Sequence, residues 1–439
     1  MSLKTWDEHV RHLRQVFGGL PDRRSGDNTS YTMEDIGAAA FSVFFTQSPS
    51  FLAHQKTMQQ AKGRSNAQSL FHIQETPCDN YIREMLDPVP PEKLFPCYDE
   101  VFESLRQAGH FETWRAIQDT VLIGLDGTWY FSSQKIHCPN CSCLESQEGQ
   151  KTHYHSAVTP VLVTPGQRQA VPLRPEFITP QDGHTKQDCE IAASKRWLEK
   201  NSERYVGLKA TLLGDDLYAH QPFCRRTLLY GFHFIFVCKP ESHKTLYDWV
   251  GLLQPGPQLR TVKARVKNAR KQWEHYTYRY ANNVPLAEGQ DALRVNWCEV
   301  TVTNAKQEVI YHNGFITDFT ITDESVAAVA AAGRARWKIE NENNNTLKTK
   351  GYHLEHNFGH GKKHLSSLLA AMNILAFLYH TFLSFTDEKY RLIRAALPTR
   401  KTFFDDLRAL TRYLLFPNWS ALLDFMMRGL EIGPYAPSG

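Results

Sequence analysis

Two short runs, TVLIGLDG at residues 120–127 and KATLLGDD at 209–216, carry apolar side chains that stop at an aspartate. A continuous apolar run of this length reads as a buried strand, and between the two QDCEIAASKRWLEK places Ile191, Ala192, Trp197 and Leu198 at helical spacing. HQPFCRRTLLYG then reads as a helix and FHFIFVCKP as another buried strand, so the run closes in an α-then-β unit of the kind that builds a parallel sheet. The hairpin HSAVTPVLVTPGQRQAVPL, with Pro-Gly between two alternating stretches, adds antiparallel strands. The expected class is α/β with a mixed sheet.

The rest of the chain follows other rhythms. Residues 1–115 read as a helical N-terminal region, with Ser30 expected to cap SYTMEDIGAAAFSVFF and CDNYIREMLDPVPP stopped by its prolines. The basic and amide groups of HQKTMQQAKGRSNAQ make this region a candidate DNA-binding segment, set against a solvated helix or loop. The α/β part runs over 116–240 and a mostly β insertion over 241–325, built from RVNWCEVTVTN and QEVIYHNGFITDFTIT. Helix resumes at DESVAAVAAAGRARWKIENE, capped by Asp323 or Ser325, in a second catalytic part over 326–380, and a helical C-terminal region covers 381–439.

With 439 residues, 42% of them hydrophobic, the chain can bury a large core and is expected to form two to four domains. The formal charge of +4 excludes a polycation but not local basic stripes. No apolar signal core opens the chain, and LSSLLAAMNILAFLYHTFL, with Asn373 and His380 inside it, reads as a buried helix and not a membrane span. Nine cysteines, an odd count, suit reduced thiols or metal ligands better than a disulfide framework, so a cytoplasmic protein is expected.

Asp126 and Asp215 each follow an apolar strand, with Asp216 beside the second. If the strands are neighbours, their carboxylates meet at one sheet edge, where open α/β sheets bind ligands. Glu340 is a third acid, on a helix whose Arg336 and Asn344 lie one turn before and after it. Three carboxylates are the hard oxygen ligands that Mg²⁺ prefers, and two such ions (or Mn²⁺) suit in-line attack on a phosphodiester. The asparagines of IENENNN then have a candidate role beside metal-bound phosphate, as amides that add no charge to an anionic cluster, set against a solvated helix face near an Asn-rich turn.

LDGTWYF, GDDLYAH, NGFITDFTI and RWKIENENNNTLK, in that order across roughly residues 120–360, resemble the DDE transposases of bacterial insertion sequences, especially the insertion-sequence-four group with a β insertion before its glutamate. The resemblance implies a ribonuclease-H-like catalytic fold, Asp126, Asp215 and Glu340 as ligands of two Mg²⁺ or Mn²⁺ ions, and Arg336 and Lys348 on phosphate. The group's signature Tyr position is Gly333 here, and its Lys falls one residue late, at Lys348. The implied function is cleavage at transposon ends and strand transfer into target DNA. Its partners would be terminal inverted repeats and target DNA, paired by a homodimer associated with the nucleoid. The alternatives are an inactive, transposase-derived DNA-binding regulator and a metal-dependent nuclease without strand transfer.

Two further groups stand out. In HCPNCSC, Cys138 and Cys141 have the C-x2-C spacing of structural zinc, with the remaining ligands open among Cys143, His153, His155, His184 and Cys189; the preferred set is Cys138, Cys141, His155 and Cys189. In RTVKARVKNARKQ, Arg265, Lys267 and Arg270 belong to a basic stripe followed by Trp273 and three tyrosines, as DNA backbone contact would use, or as a solvated β-ribbon would show.

Overall fold

The computed structural model describes residues 5–25, 30–58, 65–180 and 186–435. Among the described residues six α-helices precede the first strand: α1 (Trp6–Gly18), α2 (Met33–Phe45), α3 (Phe51–Met58), α4 (Asn66–Phe71), α5 (Asp79–Leu86) and α6 (Phe95–Gln107). Thr5 and Glu8 close a reciprocal capping box on α1. The cap of α2 is Thr32, whose hydroxyl accepts the Asp35 amide at 3.0 Å, and not Ser30 as the sequence suggested. Nearly every residue of α2 is buried, so it is a central and not a surface helix.

The main sheet has nine strands. Its first strand in the chain is β1 (Val121–Gly124), which lies inside the sheet two strands from one edge; a second sheet starts almost at once with β2 (Gly127–Ser133), β3 (Ser142–Glu145) and β4 (Lys151–Val158). The chain returns to the main sheet as β5 (Val161–Val163) and β6 (Val171–Pro172), while β7 (Glu176–Phe177) pairs with β4. Helix α7 (Lys186–Tyr205) then leads to β8 (Ala210–Gly214), and α8 (Gln221–Leu229) to β9 (His233–Val237). β1 pairs with β8 in parallel, Leu122 opposite Thr211, and β8 with β9 likewise; on its other side β1 meets β5 antiparallel. Strands β1 and β8 are buried along their whole length, as their apolar runs require.

After α9 (Lys244–Leu252) come β10 (Arg260–Lys267), β11 (Trp273–Pro285), β12 (Arg294–Thr303) and β13 (Val309–Thr317). They are all antiparallel, and β13 pairs with β9. The β-rich stretch therefore continues the central sheet outward instead of standing apart from it.

The predicted helix from Asp323 through Glu340 is broken. Helix α10 (Val326–Arg334) has Ser325 at its cap position without a side-chain capping bond, and Asp323 pairs instead with Arg260 and Tyr280. A π-helical turn, Ile339–Asn344, leads into α11 (Asn345–Thr349). Helix α12 (Leu365–Thr386) follows, then α13 (Glu388–Ala396), α14 (Arg400–Tyr413) and α15 (Trp419–Gly429). The boundary expected between 380 and 381 falls inside α12. This helix is apolar enough to cross a membrane, but 89% of its most apolar window is buried in the protein, where it packs on α2, α6 and β6. Asn66, itself buried, donates to the Thr411 and Leu414 carbonyls, so the N- and C-terminal helices share one core.

Candidate active site and metal cluster

Leu125 and Asp126 are the two residues by which the chain leaves β1 for β2. Asp126 is half-buried, and its Oδ2 accepts the Asn344 side-chain amide at 2.6 Å. Asn344 is held in turn: its Oδ1 accepts the Thr159 hydroxyl at 3.0 Å and the Asn343 amide at 2.9 Å. Two of the asparagines read as amides beside bound phosphate thus form a neutral bracket on the Asp126 carboxylate instead. Burial, and after it the charge of Glu190, pushes the Asp126 carboxyl up to about 7; Arg336 opposes this, and Glu340 and Asp215 add to it. Asp126 therefore lies within the field of both other predicted acids.

The adjacent aspartates after β8 take different environments. Asp215 caps the short turn 216–218, its Oδ1 accepting the Leu217 amide at 2.9 Å, and it contributes to the field at Asp126. Asp216 turns toward the end of β9, where it accepts the Lys239 amide at 2.7 Å and the Ser242 hydroxyl and faces His243. Burial alone would raise the Asp216 carboxyl, but hydrogen bonds from His243, Ser242 and Lys239 outweigh it and hold the group below the usual carboxylate range.

Glu340 lies in the π turn and is 54% exposed, paired with Arg336 at 2.8 Å. π turns recur at functional sites because the extra residue re-aims side chains. Two contacts fix this one. Ile339 presses on β1 at Gly124, where an added Cβ would lie 2.1 Å from the Ile339 Cδ1. Lys338, buried, donates to the carbonyls of Thr164, Pro165 and Gln167 in the β5–β6 connection, the Pro165 contact at 2.9 Å. The glutamate segment is thereby seated on β1, which leads into Asp126, and on the β5–β6 connection.

A fourth carboxylate was not anticipated. Glu190, on α7 and buried, accepts the Gly127 amide at 3.2 Å and the Tyr218 hydroxyl at 2.8 Å. A Cβ at Gly127 would meet its Oε2 at 2.3 Å, so the glycine of the LDG run is what admits it. The sequence signal available was a lone Glu among helix apolar positions.

Among the described residues, the one group of three or more ligand-type side chains whose ligand atoms all lie within 4.8 Å of one another is Cys138, Cys141, His155 and His360. The sulfurs are 3.8 Å apart, and the His155 Nε2 is 3.6 Å from Cys138 Sγ and 3.4 Å from Cys141 Sγ. His360 Nε2 is 3.4 Å from Cys141 Sγ. The preferred set is thus corrected at one position: Cys189 is buried in the apolar core of α7, and His360 stands where it was expected. Cys143 is exposed on β3, His153 stacks on His137, and His184 lies outside the described residues.

Arg265, Lys267 and Arg270 sit on or beside β10, an exposed edge strand, with Arg265 and Lys267 at 4.1 and 4.9 Å from the Trp273 ring. Lys348 pairs with Glu355 at 2.8 Å. Part of the N-terminal basic segment, 59–64, lies outside the described residues, while its Asn66 is consumed by the C-terminal helices. No protein-family model and no curated protein matches the chain.

Proposed function

We propose that the chain is a DDE-type DNA transposase, a metal-dependent polynucleotidyl transferase that cuts at transposon ends and joins the freed 3′-hydroxyls to target DNA. The observation that carries this reading is that Asp126 and Asp215 stand at the ends of adjacent parallel strands and that Asp126 lies within the field of both Asp215 and Glu340, the latter on a segment seated against β1. The order in which β1 lies between an antiparallel β5 and the parallel β8 and β9 supports a ribonuclease-H-like catalytic core.

Clustered acids with few counter-charges fit a divalent cation: burial and, after it, three neighbouring carboxylates raise the Asp126 carboxyl, and Arg336 opposes them. Asp126, Asp215 and Glu340 would hold two Mg²⁺ (or Mn²⁺) ions, which supply activation of a water or 3′-hydroxyl and stabilisation of the leaving oxygen. The chain's own groups do the orienting. Asn344 fixes the Asp126 carboxylate without adding charge, Lys338 and Ile339 fix the segment that carries Glu340, and Arg336, at the rim, is placed to meet a phosphate once Glu340 turns inward. The cation-rich β10 edge suits sequence-independent phosphate contact. Pairing two ends calls for a homodimer.

The test is cleavage and joining of DNA carrying the inverted repeats that bracket the reading frame, with Mg²⁺ and a supercoiled target, nicks and joined products scored separately. Asp126→Asn, Asp215→Asn and Glu340→Gln should each lose cleavage by more than about 10³-fold while end binding persists. Cleavage without joining makes the protein a nuclease. Binding without any metal-dependent cleavage makes it a regulator.

A further inference from the structure

We propose that Cys138, Cys141, His155 and His360 bind one structural Zn²⁺, and that this ion clasps the segment following Glu340 to the sheet that begins at Asp126. The inference stands apart from the transferase reading, since none of the three acids belongs to the site.

Distances make the first argument. A tetrahedral ion with Zn–S of about 2.3 Å and Zn–N of about 2.0–2.1 Å has edges of roughly 3.8 Å between sulfurs and roughly 3.6 Å between sulfur and nitrogen. The edges here are 3.8 Å for the sulfurs and 3.4–3.6 Å for three of the four sulfur–nitrogen pairs, and all four ligand atoms lie within 4.8 Å of one another. A disulfide is a poor alternative, because its sulfurs would stand about 2.05 Å apart. It would also leave two imidazoles turned toward the sulfurs without a reason.

The surroundings make the second. His360 Nδ1 lies 3.0 Å from the Gly361 carbonyl, which it reaches only as a donor, so the proton sits there and the Nε2 lone pair points to the sulfurs. Phe131 packs on both imidazoles, with ring centroids 4.5 Å from His360 and 5.7 Å from His155, and Tyr130 stacks on His155. Four protein ligands close the coordination sphere and leave no position for a substrate, which is the structural class of zinc site.

Topology makes the third. The two cysteines come from the loop between β2 and β3 and His155 from β4, whereas His360 lies beyond α11 on the way to α12. That arm is already steered into place: Asp87 accepts the amides of Lys362, Lys363 and Leu365, and Asn140, inside the C-x2-C loop, donates to the Lys363 carbonyl at 2.8 Å. An ion here joins segments more than two hundred residues apart in sequence, the situation in which a cross-link removes most freedom from the open chain.

The experiment uses the full chain purified without added chelator. Metal analysis should give about one zinc per chain, falling below about a tenth in Cys138→Ser with Cys141→Ser and falling severalfold in His360→Ala, while Cys189→Ser keeps its zinc. Should the double variant be insoluble, cobalt replaces zinc in the wild type and the spectrum should show tetrahedral ligand-field bands with thiolate charge transfer. Hydrogen exchange in 353–364 should rise by more than about tenfold on zinc removal. Zinc-free wild-type protein that yields no tetrahedral cobalt spectrum overturns the site. Zinc retained in His360→Ala but lost in Cys189→Ser overturns the ligand set, and unchanged exchange in 353–364 overturns the clasp.

Discussion

Around Cys138 four ligand atoms already lie within 4.8 Å of one another, whereas around Asp126 each acid is engaged by the protein itself: Asp126 by Asn344, Asp215 by the Leu217 amide, Glu340 by Arg336. Charge explains the difference. Thiols and imidazoles can be neutral and gathered closely at little cost, but two carboxylates 4 Å apart repel by about 4 kcal/mol even at an effective dielectric of about 20. A carboxylate centre must therefore be kept open by exchangeable partners and closes only around a cation. A sulfur–imidazole centre can be built shut. The first arrangement suits turnover and the second suits permanence.

The contrast can be broken most severely at Gly124. A methyl group there would drive Ile339 off β1 and carry the Glu340 segment with it, without touching any acid. Gly124→Ala should lower metal-dependent cleavage by about 10²-fold, as a displacement near 1 Å does, and leave the zinc content at one. Adding Ile339→Ala should recover part of the rate; no recovery would mean that Ile339 does not position the glutamate. Stability should divide the other way. Stripping zinc should lower the melting temperature by more than about 5 °C, while Asp215→Asn should shift it by less than about 2 °C. A comparable loss in both would erase the distinction drawn above.

Asp126 gives a smaller effect with a defined sign. Its carboxyl rises on folding to about 7, so the native state holds the proton more tightly than the unfolded chain. The stability this contributes is complete below about pH 4 and is lost as pH rises through about 7. Magnesium-free protein should accordingly lose on the order of 1–2 kcal/mol from this group between about pH 6 and about pH 8, measured by denaturant melts. Asp126→Asn should flatten that slope. Smallest is Glu190→Gln: the amide oxygen can still accept from Gly127 and Tyr218, but the charge is gone, so the midpoint of the same slope should move to lower pH by up to about one unit. A midpoint that moves upward would show that Glu190 does not act on Asp126 through its charge.

The strand-and-acid rhythm was readable because β1 and β8 are apolar on both faces and end where a charge must leave the core. The π turn was not. Its register depends on Ile339 finding the bare backbone of Gly124, a contact made between positions two hundred residues apart, while local helical spacing points to an uninterrupted helix. The zinc set divides in the same way. Cys138 and Cys141 are announced by their spacing, but His360 is brought in by the fold. Its only local signal was a histidine between Gly359 and Gly361, where a helix face is improbable. Asp215 and Asp216 illustrate a finer limit, since adjacent identical residues differ only in which loop supplies their hydrogen bonds.

Helix α12 has a consequence for how the chain is made. It fills the space between α2, α6 and β6, so the helices that leave the ribosome first cannot complete their core until residues 365–386 have been synthesised. Chains fold from the N-terminus during synthesis, and exposed apolar helices invite aggregation in the interval. A nascent chain stalled before residue 365 should accordingly be protease-sensitive throughout its first hundred residues, so that an incomplete copy is a misfolded chain and not a smaller working one.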